Sequence, residues 1–256
     1  MPTALIVEDE PEANKLLAML VQLRGYQTES ALDGAEAMDH VRSRIPDVIF
    51  LDLMLPDVDG YDVCRSLKSA GSTREIPVII VTARITAGNR MESFTAGADD
   101  YVAKPYTPDE IFAALERAQA WKQQIAEPRV EGEAVLDGRD QGETLRRLAG
   151  LRNMLLARGG MSRETVEEIN QAIRAIWSSV DQWGHRGKLE QVASLKFVLT
   201  DESLTLTVLD EAGWLESRRS LFPDPVTELV PGGLFDQVIA DLESRSLKLV
   251  KRLQPT

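Results

Sequence analysis

The strongest constraint in this 256-residue chain is a set of short apolar runs in its first half, each followed by an amphipathic stretch. Ala4-Leu5-Ile6-Val7 leads into a helical pattern from Pro11 through Leu23 that stops at Gly25. The alternation recurs at Asp47-Val48-Ile49-Phe50-Leu51 with a helix after Gly60, and at Pro77-Val78-Ile79-Ile80-Val81 with a helix near Ala87 to Ala96. Tyr101-Val102-Ala103 then precedes a helix beginning at Pro108, and Tyr26 to Ser30 supplies a remaining strand. Strands that are apolar on both faces and separated by helices predict a doubly wound, five-stranded parallel α/β sheet with helices on both sides. Right-handed crossovers put the C-terminal ends of such strands along one edge, where ligand chemistry is expected.

The residues at that edge are Glu8-Asp9, Asp52, Thr82 and Lys104. An acidic strand end by itself is usually a helix cap, a lone lysine a surface charge, and a terminal threonine a backbone partner. Together they form a constellation. Carboxylates in one cleft repel each other unless a hard cation sits among them, and an all-oxygen set favours Mg²⁺ with retained waters. A carboxylate can attack a phosphoryl group, while Mg²⁺ and a lysine neutralise the transferred charge. Thr82 is placed to donate to a phosphoryl oxygen.

The segments Leu5-Ile6-Val7-Glu8-Asp9-Glu10, Phe50 through Gly60 (FLDLMLPDVDG), Val81-Thr82-Ala83 and Ala98 through Tyr106 (ADDYVAKPY) recur in order and at family spacing. Over residues 3 to 125 the chain resembles the receiver domain of bacterial two-component response regulators. The resemblance implies a flavodoxin-like fold in which Asp52 accepts phosphate from a histidine kinase or phosphotransfer protein. It also implies that Glu8, Asp9, Asp52 and the Met54 backbone carbonyl place Mg²⁺. Lys104, ahead of a cis Pro105, would contact the phosphoryl group, and Thr82 and Tyr101 would move together as the switch.

Glu127-Pro128 and the Gly- and Asp-containing stretch through Gly142 break the helical pattern, which gives a receiver over 1–126, a linker or first strand over 127–142, and an output domain over 143–256. The second half reads as a helix from Gly142 to Ala157, the pair Gly159-Gly160, and a long helix from Ser162 to about Trp183. An alternating hairpin follows, Ser194 to Leu199 and Leu204 to Leu209, then a helix near Phe235 to Leu242 and a strand Leu247 to Val250. That order predicts an α+β two-layer sandwich. It resembles the histidine-kinase-like (GHKL) ATPase fold of anti-sigma-factor serine kinases, carried by Ser162 to Ile169, Val208 to Trp214, Gly232-Gly233-Leu234-Phe235 and Leu249 to Leu253. The departures are instructive. Where the family has a catalytic glutamate and a Mg²⁺-binding asparagine, the register places Ala175 and Ser179. Asp210 holds the adenine-binding position, but Ala212 and Trp214 stand where small residues belong and crowd the pocket. Gly232 and Gly233 retain a remnant of the phosphate-covering loop. The expectation is a degenerate domain without ATP chemistry, serving protein interaction or dimerisation. The alternative is an ATP-dependent protein serine kinase under receiver control.

Charge narrows the partners. Residues up to Ala126 carry 20 acidic and 12 basic side chains, net −8, and those beyond carry 21 and 17, net −4. An acidic chain with no basic recognition helix opposes nucleic acid and anionic membrane as partners. Expected partners are the phosphodonor protein, an unidentified downstream protein and a second copy of the chain. The longest apolar runs fall far short of the roughly 20 residues that span a bilayer, Met1-Pro2-Thr3 lacks a charged leader region, and Cys64 is the lone cysteine. A cytoplasmic protein is expected, with Cys64 as a packing residue.

Overall fold

The computed structural model describes all residues except 70, 85–86, 137–140, 159–160, 188–192, 212, 222 and 254–256. The chain divides into two units, Met1–Gln124 and Ile125–Thr256.

In the first unit, strands β1 (Thr3–Val7), β2 (Gln27–Ala31), β3 (Val48–Leu51), β4 (Val78–Thr82) and β5 (Asp100–Ala103) form a parallel sheet in the order β2-β1-β3-β4-β5. Helices α1 (Pro11–Gln22), α2 (Gly34–Ser43), α3 (Gly60–Ser69), α4 (Ala87–Ala96) and α5 (Pro108–Ala126) connect or follow the strands. This is the doubly wound, flavodoxin-like arrangement expected. The two-residue strand period explains the double burial. Ala4, Ile6, Phe50, Ile79 and Val81 pack with Leu17, Val21, Ile111 and Leu115 of α1 and α5. Leu5, Val7, Ile49, Leu51 and Ile80 pack with Val41, Val63 and Leu67 of α2 and α3. Each such aliphatic side chain contributes about 1.5–3 kcal/mol when fully buried. Cys64 is buried in the second of these layers.

The second unit holds an antiparallel sheet of β6 (Arg129–Leu136), β7 (Ala193–Thr200), β8 (Ser203–Asp210), β9 (Gln237–Asp241) and β10 (Ser246–Arg252), in the order β6-β7-β8-β10-β9. Helices α6 (Gln141–Arg158) and α7 (Arg163–Gly187) and the short α8 (Trp214–Ser217) complete it. Val166, Ile169, Ile173, Ile176 and Val180 of α7 share a core with Leu195, Leu199, Leu204, Leu206 and Val208 of the hairpin. The Ser162 hydroxyl accepts the Thr165 N–H at 3.1 Å, capping α7.

One expectation is overturned. The segment from Phe235 to Leu242 is not a helix, because Gln237–Asp241 is β9, paired antiparallel with β10. Val238 and Ala240 are half-buried while Gln237, Ile239 and Asp241 are exposed, a strand period over five residues. The connecting turn lacks the usual Gly or Asn: Arg245 itself takes φ 49°, and the Asp241 carboxylate accepts the Glu243 N–H at 2.8 Å. The Gly159-Gly160 pair and Ala212 lie outside the described residues.

Candidate functional site

Parallel pairing brings the sequence-selected groups of the first unit to one sheet edge. Asp52 is the residue after β3, and its N–H donates to the Val7 carbonyl at 2.9 Å; Glu8 follows β1, and its N–H donates to the Ala31 carbonyl at 3.1 Å. Carboxylate oxygens of Glu8, Asp9 and Asp52 all lie within 4.8 Å of one another. Glu8 and Asp52 are each 3% exposed, whereas Asp9 is exposed, so the cluster opens on one side. That donor set and spacing fit a hard divalent cation held partly by water.

Lys104 closes the other side. Its Nζ donates to Asp52 Oδ2 at 2.5 Å and to Glu8 Oε2. Burial works against the ammonium, but the hydrogen bonds and charges of Asp52 and Glu8 outweigh it and hold Lys104 above the ordinary lysine range. Glu8 moves in the same direction. Burial raises it, Lys104 pulls it back, and the neighbouring Asp52 and Asp9 charges raise it again, leaving it above the usual carboxylate range. The pair is not a balanced ion pair: one ammonium serves a group of three carboxylates.

The adjacent strand ends add a polar relay. Lys104 N–H donates to the Thr82 carbonyl at 2.9 Å, and the Lys104-Pro105 peptide is cis. Thr82 is fully buried, and its hydroxyl accepts the Arg84 N–H at 3.4 Å. The half-buried Tyr101 donates its hydroxyl to the Arg84 carbonyl, so Thr82 and Tyr101 are joined through one backbone segment. The Arg84 guanidinium reaches Asp59 at 3.2 Å, at the rim of a cavity of about 460 Å³ lined by Asp9, the 53–59 loop and Arg84. The Met54 N–H donates to Asp52 Oδ1 at 3.0 Å, fixing the carboxylate's rotation. Gly60 starts α3 directly against Asp52, since a Cβ there would overlap the Asp52 carbonyl and lie 2.6 Å from Leu53 Cα.

Two supporting residues escaped the sequence reading. Asn14, buried on α1, donates through Nδ2 to the carbonyls of Ile6, Glu8 and Ala31 and accepts from Ser30 Oγ at 2.6 Å, tying the ends of β1 and β2 together. Asp57 accepts the Gly34 and Ala35 N–H groups, each at 2.9 Å, linking the loop after Asp52 to the start of α2. Asn14 was legible in principle: it sits on the stripe of Leu17, Ala18 and Val21, where an apolar residue belongs.

A description of the response regulator receiver domain matches residues 4–116. That stretch is a receiver domain. Two curated relatives are the "DNA-binding dual master transcriptional regulator RpaA" of Synechocystis, 37% identical over 45% of this chain and 48% of its own length, and the "Response regulator MprA" of Mycobacterium avium, 39% identical over 43% of this chain and 48% of its own. The chain therefore spans about half the length of the curated relatives it matches. A solved putative response regulator from Chloroflexus aurantiacus is 31% identical, covering 47% of this chain and 99% of that one, with a TM-score of 0.45. Among the described residues, no helix is long and apolar enough to cross a membrane.

In the second unit the structure gathers three of the crowding and pocket residues at one point. The strand alternation of β8 puts Asp210 on the buried side with Leu204, Leu206 and Val208. Its carboxylate accepts the Leu215 N–H at 2.7 Å, at the start of α8. The Trp214 ring is 2% exposed, and its indole N–H donates to Ser179 Oγ at 2.9 Å. Ala175 lies one turn before Ser179, half-buried. Gly232 and Gly233 form a turn in which an added Cβ would meet nothing within 4 Å, and Gly233 has φ +82°. They make a bend and not a cradle that only glycine could line.

Proposed function

We propose that this chain is a response regulator in which Asp52 accepts a phosphoryl group from a histidine kinase or phosphotransfer protein. The observation that carries the reading is the convergence of Glu8, Asp9 and Asp52 within 4.8 Å, with the Lys104 ammonium on the Asp52 carboxylate. Glu8, Asp9 and Asp52, with the Met54 carbonyl, would hold Mg²⁺, which supplies charge neutralisation at the transferred phosphoryl group. The chain's own residues do the rest. The Met54 N–H holds Asp52 Oδ1; Oδ2, once the Lys104 ammonium shifts from it to the phosphoryl oxygens, attacks phosphorus as the P–N bond of the donor phosphohistidine breaks and the imidazole leaves. Lys104, kept charged by its neighbours, balances the negative charge gained. The Thr82 hydroxyl, drawn to a phosphoryl oxygen, alters its link to the Arg84 N–H, and Tyr101, bound to the Arg84 carbonyl, follows the movement of that residue.

The second unit is best read as a GHKL-like domain that has given up nucleotide chemistry and acts as a protein-interaction or dimerising surface. Its support is the Trp214 ring, buried against Ser179, with Asp210 committed to the α8 backbone. The relative RpaA is described as DNA-binding, but the net −4 charge here favours a protein partner. Incubation of the full chain with acetyl phosphate and Mg²⁺, read by intact mass, tests the first claim: an 80 Da adduct that is acid-labile and vanishes in Asp52→Asn is expected. A persistent adduct in that variant refutes it. Calorimetric titration with Mg-ATP tests the second, with no heat at millimolar nucleotide expected; one-site micromolar binding would restore the receiver-controlled kinase reading.

A further inference from the structure

The helices of the second unit carry a surplus of buried positive charge that the reading above leaves unused. Arg152 of α6 is 5% exposed and donates through Nε and Nη2 to a single oxygen, Glu167 Oε1, at 2.9 and 2.5 Å. Its Nη1 is buried and has no hydrogen-bond partner among the described residues. Arg174 stands seven residues beyond Glu167 on α7, and Trp177 three further, so all three share one helical stripe. The Nε of Arg174 and the indole Nε1 of Trp177 are likewise buried without a partner among the described residues. The Glu167 carboxylate thus bonds to Arg152 and acts on Arg174 by charge alone, and three N–H donors lack acceptors among the described residues.

Such an arrangement is costly as it stands. An unpaired buried donor costs about 1–3 kcal/mol, and more when charged. Burial, reinforced by the Arg152 charge, pushes the Arg174 guanidinium below its ordinary range despite the pull of Glu167. Donors without acceptors and one unit of excess positive charge specify a complement: a small group with a negative charge and several acceptor oxygens. The seam is reachable, because the Glu167 side chain is 35% exposed and Arg174 is half-buried. It lies on a different stripe of α7 from Ser179, on which Trp214 of α8 rests, so it is not the filled pocket.

We propose that Arg152, Arg174 and Trp177 form a binding site for a small oxyanion of the phosphate class between α6 and α7. Glu167 competes with the anion for Arg152 and tunes its affinity. The site is independent of phosphorylation at Asp52.

Equilibrium dialysis of radiolabelled inorganic phosphate against the full-length Asp52→Asn chain, in EDTA and at fixed ionic strength with chloride, tests this. Removing Mg²⁺ and the Asp52 carboxylate keeps the receiver pocket silent. One phosphate per chain at millimolar concentration is expected. Arg174→Gln should weaken binding at least tenfold, and Trp177→Phe, which keeps the ring and removes the N–H, severalfold. Glu167→Gln should tighten it severalfold, a direction that a merely structural ion pair would not give. Thermal melts provide a second readout: phosphate stabilises proteins generally by exclusion from their surface, so the site is the part of the shift that Arg174→Gln loses. Absence of saturable binding, or equal binding by wild type, Arg174→Gln and Glu167→Gln, overturns the proposal. Should Arg174→Gln fail to fold by circular dichroism, the opposite effects of Trp177→Phe and Glu167→Gln decide.

Discussion

The two units answer the same physical problem, polar groups placed beside a buried sheet, in opposite ways. In the receiver, Glu8 and Asp52 are almost wholly buried with Lys104 as their counter-charge among the described residues, and the exposed Asp9 leaves one side open. In the second unit, Asp210 is equally buried, but its carboxylate already holds the Leu215 backbone N–H, and the adjacent Trp214 has its indole N–H on Ser179. The first arrangement is electrostatically incomplete, with carboxylates in excess of the ammonium, and its donor set suits a cation. The second is saturated. Polar groups left short of partners have bonding capacity to offer a ligand, and groups satisfied from within the same chain have little to spare.

The sharpest way to break this comparison is Asp52→Asn, which should remove all acid-labile phosphate from acetyl-phosphate-treated protein, as read by intact mass. Retained label would show that the incomplete pocket is not where phosphate goes. Next in size is Trp214→Ala. Removing a fully buried tryptophan should destabilise the second unit by about 3–5 kcal/mol in urea unfolding. A loss under ~1 kcal/mol would mean that the ring fills nothing.

Glu8→Gln should weaken Mg²⁺ binding about tenfold in calorimetry, which corresponds to ~1.4 kcal/mol. The wild type carries a related pH signature. With Glu8 held above the usual carboxylate range, its ionised form opposes the metal-free fold, so that stability is lost as pH rises through the raised value. Mg²⁺ affinity climbs over the same interval and levels off at higher pH than for an ordinary carboxylate. An affinity already flat at the ordinary carboxylate pKa would contradict that ordering. The smallest effect is at Asp57→Asn, about 1 kcal/mol by thermal unfolding, because the two N–H groups of α2 bond to different carboxylate oxygens and the amide keeps an acceptor for one of them. Hydrogen bonds from Gly34 above all hold Asp57 below the usual range. Its contribution is thus present above the ordinary carboxylate pKa and lost as pH falls through the lowered one, and a flat acid limb for that difference would remove Asp57 from the account.

How much could be read without coordinates differed between the units for a physical reason. Val78-Ile79-Ile80-Val81 is apolar at every position because β4 is covered on both faces, and such a run has few alternatives to a central parallel strand. Gln237–Asp241 carries only a weak alternation on a sheet-edge strand, and its pairing with β10 prevailed over local propensity. The crowding of the second pocket was visible as Trp214 and Ser179, yet 35 residues separate them. Nothing in the spacing says that the indole N–H would choose that hydroxyl.

The sequence alone determined the parallel sheet, the edge on which Glu8, Asp9, Asp52, Thr82 and Lys104 gather, and the presence of Ala175 and Ser179 one turn apart on α7. Those are consequences of periodicity and residue type, which act locally and repeat along the chain. Only the tertiary structure decided which polar groups would be satisfied. Lys104 bridging Asp52 and Glu8, Asn14 joining β1 to β2, Trp214 resting on Ser179 and Arg152 sharing Glu167 are partnerships across distant positions. Each depends on a few tenths of an ångström between side chains whose approach is set by the packing of whole helices and strands.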